Sequence, residues 1–216
     1  MCSRYTVGAD PKTIAERFAV AAAPGARARF NLAPSQEAPV VLLAPERRMA
    51  LLKWGLTPAW AKESPTAKPM INARAETAAD KPFFRDAFRW RRALVPADGW
   101  YEWPKRGEKI PRWYSLRNGA LFAFAGLWEP GTFAILTTEP NALAAQVHDR
   151  MPAILPRALE EEWLDPKTRP DRLKEMLVPY PAEELAVRVV STKVGSSASD
   201  EPSLRDAAPQ SQGELF

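Results

Sequence analysis

Leu121-Phe122-Ala123-Phe124-Ala125-Gly126-Leu127 and Phe133-Ala134-Ile135-Leu136, parted by Pro130-Gly131, are apolar runs of strand length with breakers between them. Val40–Leu43, Met49–Trp54, Ala93–Val95 and Val187–Val190 read the same way. Helices are predicted among them. Asp10-Pro11 opens one by the N-cap and first-turn proline rule, with Ile14 and Phe18 on one face, and it is expected to end in the alanines before Pro24-Gly25. Others are expected over Lys81–Phe88, Asn141–Val147, Pro156–Leu164 and Asp171–Leu177. Six or more short strands with helices interspersed irregularly predict an α+β fold, not a doubly wound parallel sheet. No repeat is present, and nothing before residue 195 reads as a linker. Residues 1–205 are therefore expected to form a single domain and residues 206–216 a flexible polar tail.

Of 216 residues, 46% are hydrophobic, 26% charged and 10% aromatic, a composition that excludes wholesale disorder. No run of 18 apolar residues offers a membrane span, and the start lacks the basic-then-apolar pattern of a signal peptide. With a single cysteine, a soluble protein of the reducing cytoplasm is expected. Twenty-two prolines and eight tryptophans suit short elements joined by rigid turns. The net charge of +4 is uneven: residues 195–216 carry −3, so residues 1–194 carry +7. Arg85, Arg89, Arg91 and Arg92 lie among Phe83, Phe84, Phe88 and Trp90. Such interleaving suits a nucleic-acid surface, where cations meet phosphates and rings stack on bases, or a solvated basic face over an aromatic core.

Four places carry chemistry. Cys2 follows Met1, and removal of Met1 would leave a free α-amine beside a thiol. With ordinary pKa values near 8 and 8.5, both are partly available as nucleophiles near neutrality. A 1,2-aminothiol condenses with an aldehyde to an imine, which the sulfur closes to a thiazolidine. His148, the sole histidine, lies where a predicted helix end meets Met151-Pro152, and reads either as a structural residue or as a proton carrier. One cysteine and one histidine leave a zinc site only carboxylates, so no metal is expected. Glu102 stands between Trp100-Tyr101 and Trp103: either a desolvated carboxyl suited to acid–base work or an exposed edge-strand residue. Asn72 and Arg74 project to one side if their segment is extended, and otherwise form a turn.

These residues recur within ordered blocks: Met1–Tyr5, Ala28–Gln36, Trp54–Trp60, Asn72–Thr77, Pro96–Trp103, Ala125–Glu129, Thr137–Asn141 and His148–Pro152. In that order they resemble the SOS-response-associated peptidase family, whose members cross-link themselves to abasic sites in single-stranded DNA. The likeness runs from residue 2 to about Leu204. Departures are few. Ser3 stands where the family usually has glycine, Pro140 replaces a small residue, and the connections after Pro104 and after Trp128 look short.

The resemblance implies an α+β pseudo-barrel of curved antiparallel strands with peripheral helices, a basic groove, and no cofactor. It implies Cys2 as nucleophile, Asn72 and Glu102 in its pocket, and His148 facing the sugar. Arg4, Arg74, Trp54, Trp60, Arg85 and Arg150 are implied on the DNA path. The expected partner is single-stranded DNA containing an abasic site, and the expected state a monomer, near the nucleoid if the source is bacterial. Two rivals stay open: an N-terminal-nucleophile cysteine peptidase, which needs only the thiol, and a non-covalent single-stranded-DNA binder.

Overall fold

The computed structural model describes residues 3–62, 66–105 and 107–208. Thirteen strands are formed among the described residues: β1 (Arg4–Val7), β2 (Arg29–Leu32), β3 (Glu37–Leu43), β4 (Arg47–Trp54), β5 (Asn72–Arg74), β6 (Arg92–Ala97), β7 (Gly99–Glu102), β8 (Arg112–Leu116), β9 (Phe122–Glu129), β10 (Thr132–Thr138), β11 (Met151–Pro152), β12 (Ile154–Leu155) and β13 (Leu185–Val189). The helices are short: α1 (Pro11–Arg17), α2 (Ala75–Ala78), α3 (Arg85–Trp90), α4 (Glu160–Leu164) and α5 (Pro170–Glu175).

The expected α+β class is what the chain adopts, arranged as two sheets. One has the order β13-β8-β7-β1-β2 and is antiparallel throughout. In the other, β10, β4, β3, β6 and β9 follow one another, and β9 pairs again with β10, so the five close into a ring. β5 and β11 add to β10, and β12 adds to β9. The ring departs from the expected antiparallel pattern in two places, since β10 runs parallel to both β4 and β5. Close approach fixes one glycine there: a Cβ on Gly126 would lie 2.7 Å from Val95 Cγ2, so a side chain would push β6 from β9.

The sheets meet through aromatic rings. Tyr5 packs edge-on against Trp54 (5.1 Å between centroids) and Phe124 (5.9 Å), while Trp100 stacks on Tyr114 at 4.9 Å. A smaller cluster of Tyr101, Trp113, Val190, Val194 and Leu204 covers the other face of the five-stranded sheet. β7 thus lies between two apolar layers, Trp100 facing one and Tyr101 the other. Gly99 admits this packing, since a Cβ there would stand 2.5 Å from the Trp113 ring.

Helix boundaries depart from expectation for local reasons. Asp10 caps α1 by accepting from the Lys12 and Thr13 amides, as its sequence predicts. The helix stops at Arg17, well before Pro24, because Ala19 turns to φ 51°. α3 starts at Arg85, after a turn in which the Phe84 and Arg85 amides donate to the Lys81 carbonyl. Over Asn141–Val147 only a 3-10 turn forms at Ala144–Gln146, led into by Asn141, whose Oδ1 accepts from the Leu143 and Ala144 amides. A 3-10 turn at Arg157–Leu159 precedes α4. At the start of the expected tail, Ala207 bridges to Val190 and the Ala208 amide donates to the Val189 carbonyl.

Candidate functional site

Glu102 ends β7, two residues from Trp100, and so turns to the same face, toward the main core. It is 4% exposed, on an inner strand between β1 and β8, opposite Arg112. Of its two readings, the buried one holds. Burial dominates its chemistry: loss of hydration disfavours the carboxylate and pushes the pKa up to about 7, with Asp149 adding to the rise and Lys105 opposing it. A carboxyl titrating there both donates and accepts protons at neutral pH. In the antiparallel register Arg4 faces Tyr101, so Ser3, the first described residue, lies at the Glu102 end of β7. Cys2 falls outside the described residues.

His148 belongs to the ring side, on the loop that leads into β11. Its imidazole is largely buried, and burial holds its pKa below the usual histidine range. Nδ1 lies 3.1 Å from the Arg150 amide, which donates to it, and 2.9 Å from Asp149 Oδ1. Asp149 in turn pairs with Lys105 Nζ at 2.6 Å. Lys105 is three residues beyond Glu102, so this ion pair ties the end of one sheet to the His148 loop of the other. Asp149 and Lys105 act electrostatically on both Glu102 and His148, which places the two side chains in one neighbourhood.

β5 is extended, as one of the two readings of Asn72 and Arg74 required. It runs parallel beside β10 with Asn72 opposite Ile135 and Arg74 opposite Thr137. Asn72 is buried and Arg74 is exposed where β5 turns into α2. One turn on, Glu76 accepts two hydrogen bonds from the Arg150 guanidinium, at 2.7 and 2.9 Å, and Arg150 also donates to the Thr137 carbonyl at 2.5 Å. Arg74 and Arg150 thus meet the end of β10 at Thr137, with Asn72 two residues further in opposite Ile135 and Arg150 committed to its neighbours.

The other implied DNA residues divide. Trp60 is 66% exposed and sits edge-on to Phe83, beside a cavity of about 410 Å³ that Arg91 and Glu129 also line. Arg85 is exposed, next to Asp86. Arg4 donates to the Ser3 and Gly195 carbonyls. Trp54 is corrected: it is 1% exposed, stacks on Phe133 and donates Nε1–H to the Ile71 carbonyl, so no base can reach its ring. The arginine cluster divides as well. Arg92 is buried, donating to the Phe88, Trp163 and Asp165 carbonyls with its pKa pushed down to about 10 by burial, and Arg91 pairs with Glu129.

Sequence reasoning missed Lys105, Asp149 and Glu76. Asp149 carried a signal, as the neighbour of the sole histidine; the pairings of Lys105 and Glu76 span 44 and 74 residues and left none. Among the described residues, no cluster of three or more His, Cys, Asp or Glu side chains could hold a metal ion, and no helix is long and apolar enough to cross a membrane.

Comparison with known proteins adds to this geometry. Residues 1–197 match the family described as SOS response associated peptidase. The abasic site processing protein YoaM of Bacillus subtilis is 42% identical over 82% of this chain and 84% of its own length. The abasic site processing protein YedK of Escherichia coli is 31% identical over 78% of this chain and 79% of its own. In three dimensions, a crystal structure of a Bacteroides thetaiotaomicron protein superposes with a TM-score of 0.86 at 26% identity, covering 96% of this chain and all of that one.

Proposed function

The chain belongs to the SOS response associated peptidase family, and on that premise we propose that it processes abasic sites in single-stranded DNA by linking itself to them through Cys2. The observation that carries this reading is Glu102: a nearly dry carboxyl with a pKa of about 7, in one electrostatic neighbourhood with His148, at the end of β7 where Ser3 lies.

Abasic deoxyribose is mostly a closed hemiacetal. His148 and Glu102 carry the protons that open it, an acid–base contribution of roughly 10²–10⁴-fold. After Met1 is removed, the Cys2 amine adds to the C1′ aldehyde and Glu102 protonates the departing hydroxyl, which leaves as water and gives an imine. The imine alone is an electron sink that invites strand cleavage by β-elimination. Sγ then adds to the imine carbon, the thiol proton passes to nitrogen, and the thiazolidine removes that sink. Asn72 orients the amine and thiol. Arg4 and Arg74 take the phosphates, and Arg85 and Trp60 extend the strand's path.

The test is intact mass after incubation with an abasic oligonucleotide. The expected product lacks Met1 and gains the oligonucleotide mass less one water. Cys2→Ser keeps the amine without the sulfur, so it should give only a heat-labile imine. A heat-stable adduct from Cys2→Ser, or an active preparation retaining Met1, overturns the thiazolidine. Cleavage of a peptide by wild-type protein that forms no adduct would favour a peptidase, for which the thiol suffices.

A further inference from the structure

Two neighbours claim His148 Nδ1 by opposite chemistry. The Arg150 amide, at 3.1 Å, donates, and so requires a lone pair on Nδ1 with the ring proton on Nε2. The Asp149 carboxylate oxygen Oδ1 lies 2.9 Å from Nδ1 as an ion-pair contact, and can accept from the ring only when the proton sits on Nδ1. Only the second arrangement leaves Nε2 with a lone pair, able to take a proton from a substrate hydroxyl and return it. Asp149 is itself two-thirds exposed and would swing freely but for Lys105, which grips its other oxygen, Oδ2, at 2.6 Å.

We propose that Asp149 is a positioning residue for His148, carrying the Nδ1 proton so that Nε2 does the exchange, and that Lys105 serves by holding Asp149 in place. Lys105 lies just past the strand that bears Glu102, so the arm setting the histidine's tautomer is anchored on the sheet of the second proton carrier. Burial and, among the described residues, the Lys105 cation lower the proton affinity of the ring, while Asp149 raises it.

The chain has a single histidine, so its imidazole nitrogens can be read without ambiguity by long-range ¹H–¹⁵N correlation across a pH titration of the whole protein. In wild type the neutral ring should hold an Nδ1–H population. Asp149→Ala should convert it to Nε2–H and move the titration to lower pH. The Asp149 side chain is two-thirds exposed, so the variant should fold. Lys105→Gln gives the decisive sign. As a simple nearby cation, Lys105 would on removal let the histidine titrate at higher pH. As the anchor of Asp149, its removal should lower the titration, as Asp149→Ala does. A neutral ring wholly in the Nε2–H form, a titration unmoved by Asp149→Ala, or a rise in Lys105→Gln would each overturn the proposal.

The consequence for turnover rests on reading His148 as a proton carrier for abasic DNA. Asp149→Asn should slow single-turnover adduct formation about tenfold, and combining it with His148→Ala should add nothing to the loss from His148→Ala alone. Equal, independent losses would also overturn it. Should wild-type protein form no adduct, the abasic-site reading fails while the resonance experiment still decides the tautomer.

Discussion

Arg150 grips both oxygens of Glu76 while donating to the carbonyl of Thr137. The three contacts bind α2 to the end of β10, and so fix where Arg74, between β5 and α2, meets solvent. The Arg150 side chain is 11% exposed and that of Glu76 48%.

That asymmetry makes a prediction. Glu76→Ala removes a half-exposed ion pair and should cost about 0.5–1 kcal/mol. Arg150→Ala also strips the Thr137 carbonyl of a charged donor and should cost about 1–3 kcal/mol. Urea unfolding with an unchanged slope measures both. Equal midpoint shifts would show that the Thr137 bond contributes nothing.

Trp54 and Trp60 sit six residues apart in one motif and should respond in opposite assays. Trp54 is closed in the core, so Trp54→Ala should lower stability by about 3–5 kcal/mol. Trp60 is open to solvent, so Trp60→Ala should leave the urea midpoint within about 0.5 kcal/mol of wild type. If a base stacks on it, single-stranded-DNA binding should weaken by about 1–3 kcal/mol. Unaltered binding by Trp60→Ala would remove that ring from the DNA path.

The motif that holds both tryptophans shows what a sequence discloses. Its residue types are visible, but which ring faces inward depends on β4 pairing with β3 and β10. The strands of the ring, though not its closure, were legible because β3, β4, β6, β9 and β10 each hold a continuous apolar run. Most of the five-stranded sheet was not. β1, β2, β7 and β8 are four or five residues long and carry Arg4, Asn31, Glu102 and Arg112, so no apolar run announces them. Burial of Glu102 follows from that sheet, and its flanking aromatics alone left the question even. Asn72, Glu102 and His148 stand out in the sequence as residue types within motifs, whereas the Lys105–Asp149 pair depends on two sheets meeting.

Arg74 tests the electrostatic part of the function. It is exposed at the turn from β5 into α2. Arg74→Ala should weaken binding to intact and abasic single strands alike. The dependence of log affinity on log salt should become shallower by about 0.7 if one phosphate contact is lost. An unchanged slope would assign Arg74 to the turn alone.

Glu102 links the chemistry to stability through its sign. A carboxyl whose pKa rises on folding to about 7 binds its proton more tightly in the folded chain than in the unfolded one. Its contribution is fully present below the unfolded value, near 4.3, and is lost as pH rises through about 7. Glu102→Gln keeps the shape and cannot ionise, so this loss should vanish. Thermal midpoints of wild type and Glu102→Gln should lie closest near pH 4.5 and diverge toward pH 8, with the variant the more stable. Its adduct formation should be slower throughout, because the amide exchanges no proton. Melting curves that stay parallel from pH 4.5 to 8 would show that Glu102 keeps an ordinary carboxylate pKa, and would move the second proton carrier elsewhere.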